Sequence, residues 1–231
     1  MEKPYQAVKL SNMRRTIARR LTESKQTIPH FYLTTEVILT ELEALRKELN
    51  AAYSERGKKI SLTDLLIKAL GMALSQVPDA NVRFSSDELL KFEKVDISIA
   101  VSVPGGLVTP VIANAGSKQL AVISEEMRDL TNRARLGKLA ESETAGGTAT
   151  LSNLGMYRVR QFTAIINPPQ GMILAVGSAD KRPLVVGDGI VAAMIMSVTG
   201  SFDHRAIDGV VGAQLIDAFR TLLEKPIALI V

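Results

Sequence analysis

The most informative stretch of this chain lies near its carboxyl end and reads Gly200-Ser-Phe-Asp-His-Arg-Ala-Ile-Asp-Gly209. Apolar, β-branched residues over 190–202 predict a strand, and helical spacing over 210–224 predicts a helix. The junction places His204 four residues before Asp208, and histidine is the side chain best suited to moving protons near neutral pH. Two interpretations stay open: a hydrogen-bonded structural pair, the commoner outcome at a strand end, or a catalytic base with a carboxylate that orients it or a supporting arginine.

Outward from this junction the chain alternates between predicted helices and strands. Capping residues and apolar spacing predict helices that begin near Ser11, at a Thr40/Glu43 capping box and at a Ser61/Asp64 capping box, with a further helix over 117–136. Strands are predicted over 30–40, 95–103, 107–113, 148–153 and 172–176. Without a repeat or a linker, we expect a single α/β domain over residues 1–231.

Composition excludes several classes of protein and site. The 231 residues include 46% hydrophobic and 23% charged side chains, which is typical of a globular domain. No cysteine is present, so disulfides, thiolate zinc sites and a cysteine nucleophile are excluded. A histidine zinc site is disfavoured because His30 is the one other imidazole. The longest uncharged run, 97–117, contains prolines and glycines that would break a membrane-spanning helix.

The net excess of positive charge lies in the amino-terminal segment. The formal net charge is +4, but residues 1–25 alone carry +5 and the other residues together carry −1. Aromatic side chains make up 4% of the chain, which argues against base stacking. A nucleic-acid partner is therefore not expected.

A second polar stretch is Gly146-Gly-Thr-Ala-Thr-Leu-Ser-Asn-Leu-Gly155. In a strand, Thr148, Thr150 and Ser152 share one face, and a row of hydroxyls could stabilise a developing oxyanion. The alternative is that the threonines are ordinary strand residues followed by a turn. Downstream, Pro168 and Pro169 predict a rigid turn.

Taken together, these segments resemble the catalytic domain of the dihydrolipoamide acyltransferases, the E2 cores of 2-oxo acid dehydrogenase complexes. The resemblance covers nearly the whole chain. It rests on six motifs in this order: Lys9-Leu-Ser-Asn-Met-Arg-Arg-Thr-Ile-Ala, Ile28-Pro-His-Phe, Gly106-Leu-Val-Thr-Pro-Val, Gly147-Thr-Ala-Thr-Leu-Ser-Asn-Leu-Gly, Ile166-Asn-Pro-Pro and Asp203-His-Arg-Ala-Ile-Asp-Gly. The continuation after Gly209 is most similar to the pyruvate-type acetyltransferases, with succinyl or branched-chain acyl groups as the alternative.

The resemblance implies a chloramphenicol-acetyltransferase-like fold, in which helices flank a mixed sheet. It also implies a homotrimer that assembles into a cubic or dodecahedral core. The apolar tail over 227–231 fits the family's use of this segment to bridge trimers; the alternative is a tail packed on its own domain.

The implied reaction moves an acetyl group between a dihydrolipoyl thiol and coenzyme A. In this resemblance His204 is the general base, Ser152 stabilises the oxyanion from an adjacent subunit, and Asp208 holds the geometry through an arginine. Coenzyme A or acetyl-CoA is the implied substrate, no metal is implied, and the positions matching cofactor contacts are Arg46, Ser61, Ser102, Ser152 and Asn153. Taken alone, Arg46 is a surface charge on an amphipathic helix.

Lipoyl and subunit-binding domains that accompany this family are not recognisable in the chain, so we expect a truncated form or a proteolytic core. The lipoyl group would then come from another domain in trans, with the E1 and E3 enzymes as partners. The expected location is a bacterial cytoplasm or the mitochondrial matrix. Two alternatives are a non-catalytic scaffold subunit and a stand-alone antibiotic acetyltransferase. The Asn-Pro-Pro segment and the apolar tail disfavour the antibiotic acetyltransferase.

Overall fold

The computed structural model describes residues 3–53 and 59–230. Five α-helices are found in these ranges: α1 (Asn12–Thr27), α2 (Thr40–Tyr53), α3 (Leu62–Gln76), α4 (Leu120–Arg135) and α5 (Gly209–Glu224). The strands in the same ranges are β1 (His30–Ile38), β2 (Val82–Ser85), β3 (Glu88–Lys91), β4 (Ile97–Ile99), β5 (Val101–Val103), β6 (Gly106–Val108), β7 (Val111–Ile112), β8 (Ala149–Asn153), β9 (Met172–Val186) and β10 (Gly189–Asp203). Short 3-10 turns cover Pro78–Ala80, Glu141–Glu143, Gly155–Tyr157 and Pro226–Leu229.

Six strands form one mixed sheet in the order β1-β10-β9-β8-β4-β7. Strand β8 runs parallel to both of its neighbours, β4 and β9, whereas the other pairings are antiparallel. Two hairpins, β2–β3 and β5–β6, form separate two-stranded sheets. The predicted mixed sheet flanked by helices is confirmed.

The structure corrects the predicted strands in four places. The predicted strand over 107–113 is two strands, β6 paired with β5 and β7 paired with β4, and Pro110 between them has no N–H for a ladder. The predicted strand over 95–103 is two strands in different sheets, because β4 pairs with β7 and β8 whereas β5 pairs with β6 in a separate hairpin. Strand β9 continues ten residues past the predicted end at Val176, because its outer half pairs with β10. The prediction missed this half because it lacks a continuous apolar run. The β2–β3 hairpin was not predicted, because its four-residue strands are half-exposed and carry no long alternation.

Helix caps fix where the helices begin. Ser11 accepts a hydrogen bond from the N–H of Arg14, and Ser61 and Asp64 form the predicted reciprocal capping box. The predicted box at Thr40 is wrong. The Thr40 hydroxyl instead accepts from the N–H of Met194 at 3.3 Å, and the Glu43 carboxylate binds Arg46.

One hydrophobic core joins the helices to the sheet. Fully buried side chains from α3 and α5 pack against strand residues, and include Leu66, Leu70, Phe219, Leu151 and Leu174. Burial of this apolar surface stabilises the domain and holds the sheet edge next to the cavities described below. None of the described helices is both long and apolar enough to cross a membrane.

The carboxyl-terminal tail divides between the two roles considered for it. Leu229 is 1% exposed and belongs to the core, so part of the tail packs on its own domain. Ile227 and Ile230 stay 64% and 41% exposed. Two apolar side chains of the tail therefore remain on the surface next to the buried Leu229.

Candidate active site

Ser152 lies at the junction of two cavities. Ser152 is the penultimate residue of β8, and Ser152, Ala100 and Leu107 line both cavities. The Ser152 hydroxyl has no hydrogen-bond partner within residues 3–53 and 59–230. The other two hydroxyls of the predicted row are occupied, because Thr148 binds the backbone of Asp96 and Thr150 donates to Gln170. Only Ser152 of this row is thus available to a ligand.

The first cavity has a volume of about 430 Å³ and contains four of the predicted positions. Ser61, Ser102, Ser152 and Asn153 all line it. Asn153 is held in place, since its amide nitrogen donates to the Thr63 hydroxyl at 3.2 Å and its carbonyl oxygen accepts from the Gly155 N–H at 2.8 Å. A cavity of this size suits part of a small-molecule ligand.

Cationic side chains at this cavity were missed by the sequence analysis. Lys59, Arg128 and Arg135 line the same space, and neither arginine forms an ion pair with any described residue. Helix α4 presents Arg128, Thr131, Asn132 and Arg135 at spacings of three, one and three residues. Those spacings put all four on one helix face, and this polar stripe is the signal that could have identified them.

Arg46 is not brought to this cavity. It lies on α2, where its guanidinium binds Glu43 at 2.6 Å, and it borders a separate depression formed by one face of that helix. Four of the five residues expected to contact the cofactor therefore line the first cavity within one chain, and Arg46 does not.

The second cavity has a volume of about 610 Å³ and is largely apolar. Helix α1 contributes Met13 and Ile17 to its lining, and the irregular segment 164–167 forms another part of its wall. One charged group, Arg20, lines this space. The cavity can accommodate an apolar arm that ends at Ser152.

Three side chains hold the wall segment 164–167 in place although it belongs to no strand. The hydroxyls of Ser24 and Ser201 donate to the carbonyls of Ile166 and Ala164, each at 2.7 Å. His30 accepts from the Ile166 N–H through Nε2 at 3.1 Å, so its Nδ1 carries the proton that binds the Ile28 carbonyl at 2.8 Å. His30 is therefore a neutral structural imidazole with both nitrogens occupied.

His204 lies in the turn after β10, and its ring is exposed. Its N–H donates to the carbonyl of Pro29 at 3.0 Å, and its ring centroid is 4.5 Å from that of Phe31. The register places Ser152 opposite Ala175, and Ala175 opposite Thr199. His204 is five residues beyond Thr199, just past the end of β10, so its Cα is roughly 19 Å from that of Ser152 at ordinary strand spacings. One chain does not bring these two residues to one substrate.

Asp208 caps helix α5. Its carboxylate accepts from the N–H groups of Val210 and Val211, both at 2.9 Å. The expected pairing of Asp208 with an arginine is not found in the described chain, because the neighbouring Arg205 binds Asp203 through two contacts of 2.9 and 2.8 Å. That hydrogen bonding raises the pKa of Arg205. No group of three or more His, Asp or Glu side chains among the described residues could hold a metal ion.

Residues 2–231 match the family model for the catalytic domain of the 2-oxoacid dehydrogenases acyltransferase. The chain belongs to this family. It is similar to the dihydrolipoyllysine-residue acetyltransferase component of the pyruvate dehydrogenase complex of Zymomonas mobilis, at 51% identity over 98% of this chain. The match spans 52% of that relative, and the chain covers about half the length of the curated relatives it matches.

Solved structures agree with the fold. The Azotobacter vinelandii dihydrolipoamide acetyltransferase is 30% identical, with a TM-score of 0.94 over 99% of this chain and 95% of its own. The cubic core of a pyruvate dehydrogenase multienzyme complex is 30% identical with a TM-score of 0.94, over the same shares of the two chains. A chloramphenicol acetyltransferase is 14% identical with a TM-score of 0.59, over 89% of this chain and 94% of its own, which confirms the predicted fold.

The Azotobacter vinelandii structure belongs to a study of a serine, a histidine and an asparagine in that enzyme's catalytic mechanism. Those three residues are separated by 52 and then four positions. Ser152, His204 and Asp208 have the same separations. An aspartate stands in this chain where the spacing matches the asparagine.

Proposed function

We propose that this chain is the catalytic core of a dihydrolipoyllysine-residue acetyltransferase of a pyruvate dehydrogenase complex, and that it moves an acetyl group between a dihydrolipoyl thiol and coenzyme A. The observation that carries the proposal is the position of Ser152, whose unoccupied hydroxyl borders both a cation-lined cavity and an apolar cavity. Two thiol substrates can reach one serine from two sides in this arrangement.

The first cavity has the chemistry that coenzyme A requires. Guanidinium and ammonium groups bind phosphate oxygens by charge-assisted hydrogen bonds. Arg128, Arg135 and Lys59 supply these groups, and Ser61, Ser102 and Asn153 supply polar contacts for the pantetheine arm. The second cavity, with its apolar walls, suits the hydrocarbon arm of a lipoyl group carried on a lipoyl domain in trans.

His204 and Ser152 divide the chemistry between them. A free thiol has a pKa of about 8.5, so the coenzyme A thiol must lose its proton as its sulfur attacks the thioester carbonyl. His204 accepts that proton, and Ser152 donates a hydrogen bond to the negative oxygen of the tetrahedral intermediate. The intermediate then breaks its bond to the dihydrolipoyl sulfur, which receives the proton from His204. The chain needs no nucleophile of its own.

The separation of His204 from Ser152 supports a site shared between subunits. A cyclic arrangement in which each chain gives His204 to the Ser152 of its neighbour completes every site, and we propose a homotrimer that builds a cubic or dodecahedral core. The exposed Ile227 and Ile230 are suited to contacts between trimers. E1, E3 and a lipoyl domain are the proposed partners, in a bacterial cytoplasm or a mitochondrial matrix.

A non-catalytic scaffold is less well supported, because such a subunit has no need of an unoccupied serine between two cavities. An antibiotic acetyltransferase has no support beyond the shared fold.

The test combines size-exclusion chromatography, light scattering and an assay with acetyl-CoA and dihydrolipoamide on the same fractions. We expect transfer in fractions with the mass of a trimer or a larger particle. A large inactive particle would favour the scaffold, and an active monomer would contradict the shared site.

A further inference from the structure

The turn that carries His204 is attached to the β2–β3 hairpin through one arginine. The guanidinium carbon of Arg205 lies 4.3 Å from the ring centroid of Phe84, which is on β2. The same guanidinium binds the carboxylate of Asp203, and that carboxylate also accepts from the Arg205 N–H at 3.0 Å. Asp203 is 2% exposed, so this ion pair is shielded from solvent on one side.

The backbone around His204 depends on Asp203. The carbonyl of Asp203 accepts from the N–H groups of Ala206 and Ile207 at 3.0 and 2.9 Å, and its own N–H donates to Gly171 at 2.9 Å. Gly171 in turn lies directly against β2, since a Cβ built at this glycine would be 2.4 Å from the carbonyl oxygen of Val82. The hairpin therefore contacts the turn directly through the Phe84 ring, and its backbone is linked to the turn through Gly171.

We propose that Phe84, Arg205 and Asp203 form a clamp that fixes the direction in which His204 is presented to the neighbouring subunit's site. They are positioning residues, because none of them lines either cavity that borders Ser152. The physical reason is that a cation held over an aromatic face and bonded to a buried carboxylate has one favoured orientation. This inference rests on the proposed function for its kinetic consequence and on the structure alone for its effect on the turn.

The hairpin provides a matched control. Arg83 lies over Phe92 with 5.6 Å between the guanidinium carbon and the ring centroid, and both phenylalanines are half-buried. Phe84→Leu and Phe92→Leu thus make the same replacement of an aromatic ring by an aliphatic side chain in two cation–aromatic pairs of one region. Phe84→Tyr keeps the aromatic face and is the conservative variant.

We expect Phe84→Leu and Arg205→Lys to lower kcat about 10- to 100-fold with little change in KM for coenzyme A, the scale of a misplacement of about 1 Å at a reacting group. Phe84→Tyr should retain most of the wild-type kcat, and Phe92→Leu should have a kcat equal to that of the wild-type chain. Wild-type kcat in Phe84→Leu, or an equal loss in Phe92→Leu, would overturn the clamp.

A second measurement separates failure of the clamp from failure of the proposed function. Amide hydrogen exchange over 200–207 is expected to be faster in Phe84→Leu than in the wild-type chain, and unchanged in Phe92→Leu. Unchanged exchange in Phe84→Leu overturns the clamp whether or not the wild-type chain transfers acetyl groups. An inactive wild-type chain with the expected exchange pattern supports the clamp and contradicts the proposed reaction.

Discussion

Ser152 lies on β8 and His204 directly follows β10 of the same sheet, but two strand pairings and five residues of register separate them. Ser152 lies at the cavities, whereas His204 lies beyond the far end of β10 beside Phe31. Both cannot act on one thioester in a single chain, because a base and an oxyanion donor must each lie within hydrogen-bond reach of the reacting group. The geometry therefore makes assembly a condition for the proposed activity.

Mixing two inactive variants tests this relationship. We expect His204→Ala and Ser152→Ala chains to have little activity alone, and to recover activity after they are unfolded and refolded together. In an equimolar random cyclic assembly, about one quarter of the sites receive the intact His204 and the intact Ser152. No recovery in particles shown to contain both chains would place the two residues in one subunit's site. Refolding each variant alone is the control.

Ser152→Ala is expected to lower kcat about 10²- to 10³-fold, because one oxyanion donor is lost. KM for coenzyme A should change little, since the substrate's ground state does not need this hydrogen bond. The measurement is steady-state kinetics with both substrates varied. Thr150→Val is the control on the same strand face. A rise in KM alone in Ser152→Ala would assign the serine to binding.

Arg128→Gln and Arg135→Gln are expected each to raise KM for coenzyme A about 10-fold, which corresponds to about 1.4 kcal/mol of charge-assisted hydrogen bonding. The value of kcat should stay close to that of the wild-type chain. Arg46→Gln is the comparison, because Arg46 already binds Glu43. A large rise in KM for Arg46→Gln without one for the two α4 variants would move the phosphate contact to α2.

Asp208 is expected to act as a helix cap. Asp208→Asn should keep both stability and transfer rate close to wild type, because asparagine caps helices as well as aspartate does. Asp208→Ala should lower the free energy of unfolding by about 1 kcal/mol. Denaturant unfolding and kcat are measured on the same samples. A loss of rate in Asp208→Asn at unchanged stability would show that the carboxylate itself takes part in the reaction.

The ion pair between Arg133 and Glu143 should make stability depend on pH in the acid range. Hydrogen bonding to Arg133 lowers the pKa of Glu143 from 4.5 to about 2. Glu143 therefore holds its carboxyl proton less tightly in the folded chain than in the unfolded chain. The stabilisation is complete above about pH 4.5 and is lost as the pH falls toward 2.

Thermal unfolding of Glu143→Gln measures this effect. The variant should have a lower Tm than the wild-type chain at pH 6, and the difference should vanish near pH 2. Asp217→Asn, which removes the exposed Asp217–Arg220 pair, is the control and should show a smaller difference. A constant difference between Glu143→Gln and the wild-type chain at all pH values would contradict the prediction.

The elements that could be predicted are those whose signal is local. The Ser11 and Ser61 caps are specified within one helical turn, and the helices they begin were found where expected. The hairpin β2–β3 and the split between β4 and β5 were missed because strands of three or four residues depend on their pairing partners for their identity. Thr40 shows the same limit, since its cap pattern is intact in sequence but its hydroxyl binds Met194 in space.

The sequence by itself determined the family, the mixed α/β class and the residue types for proton transfer and oxyanion binding, because these depend on ordered motifs and side-chain chemistry. Tertiary structure alone decided which of them share a cavity. It placed Ser152 between two spaces, brought Arg128 and Arg135 to the first, and left Arg46 and His204 elsewhere. The reason is that cavity walls come from strands and helices distant along the chain, and their register is fixed by packing between them rather than by any local pattern.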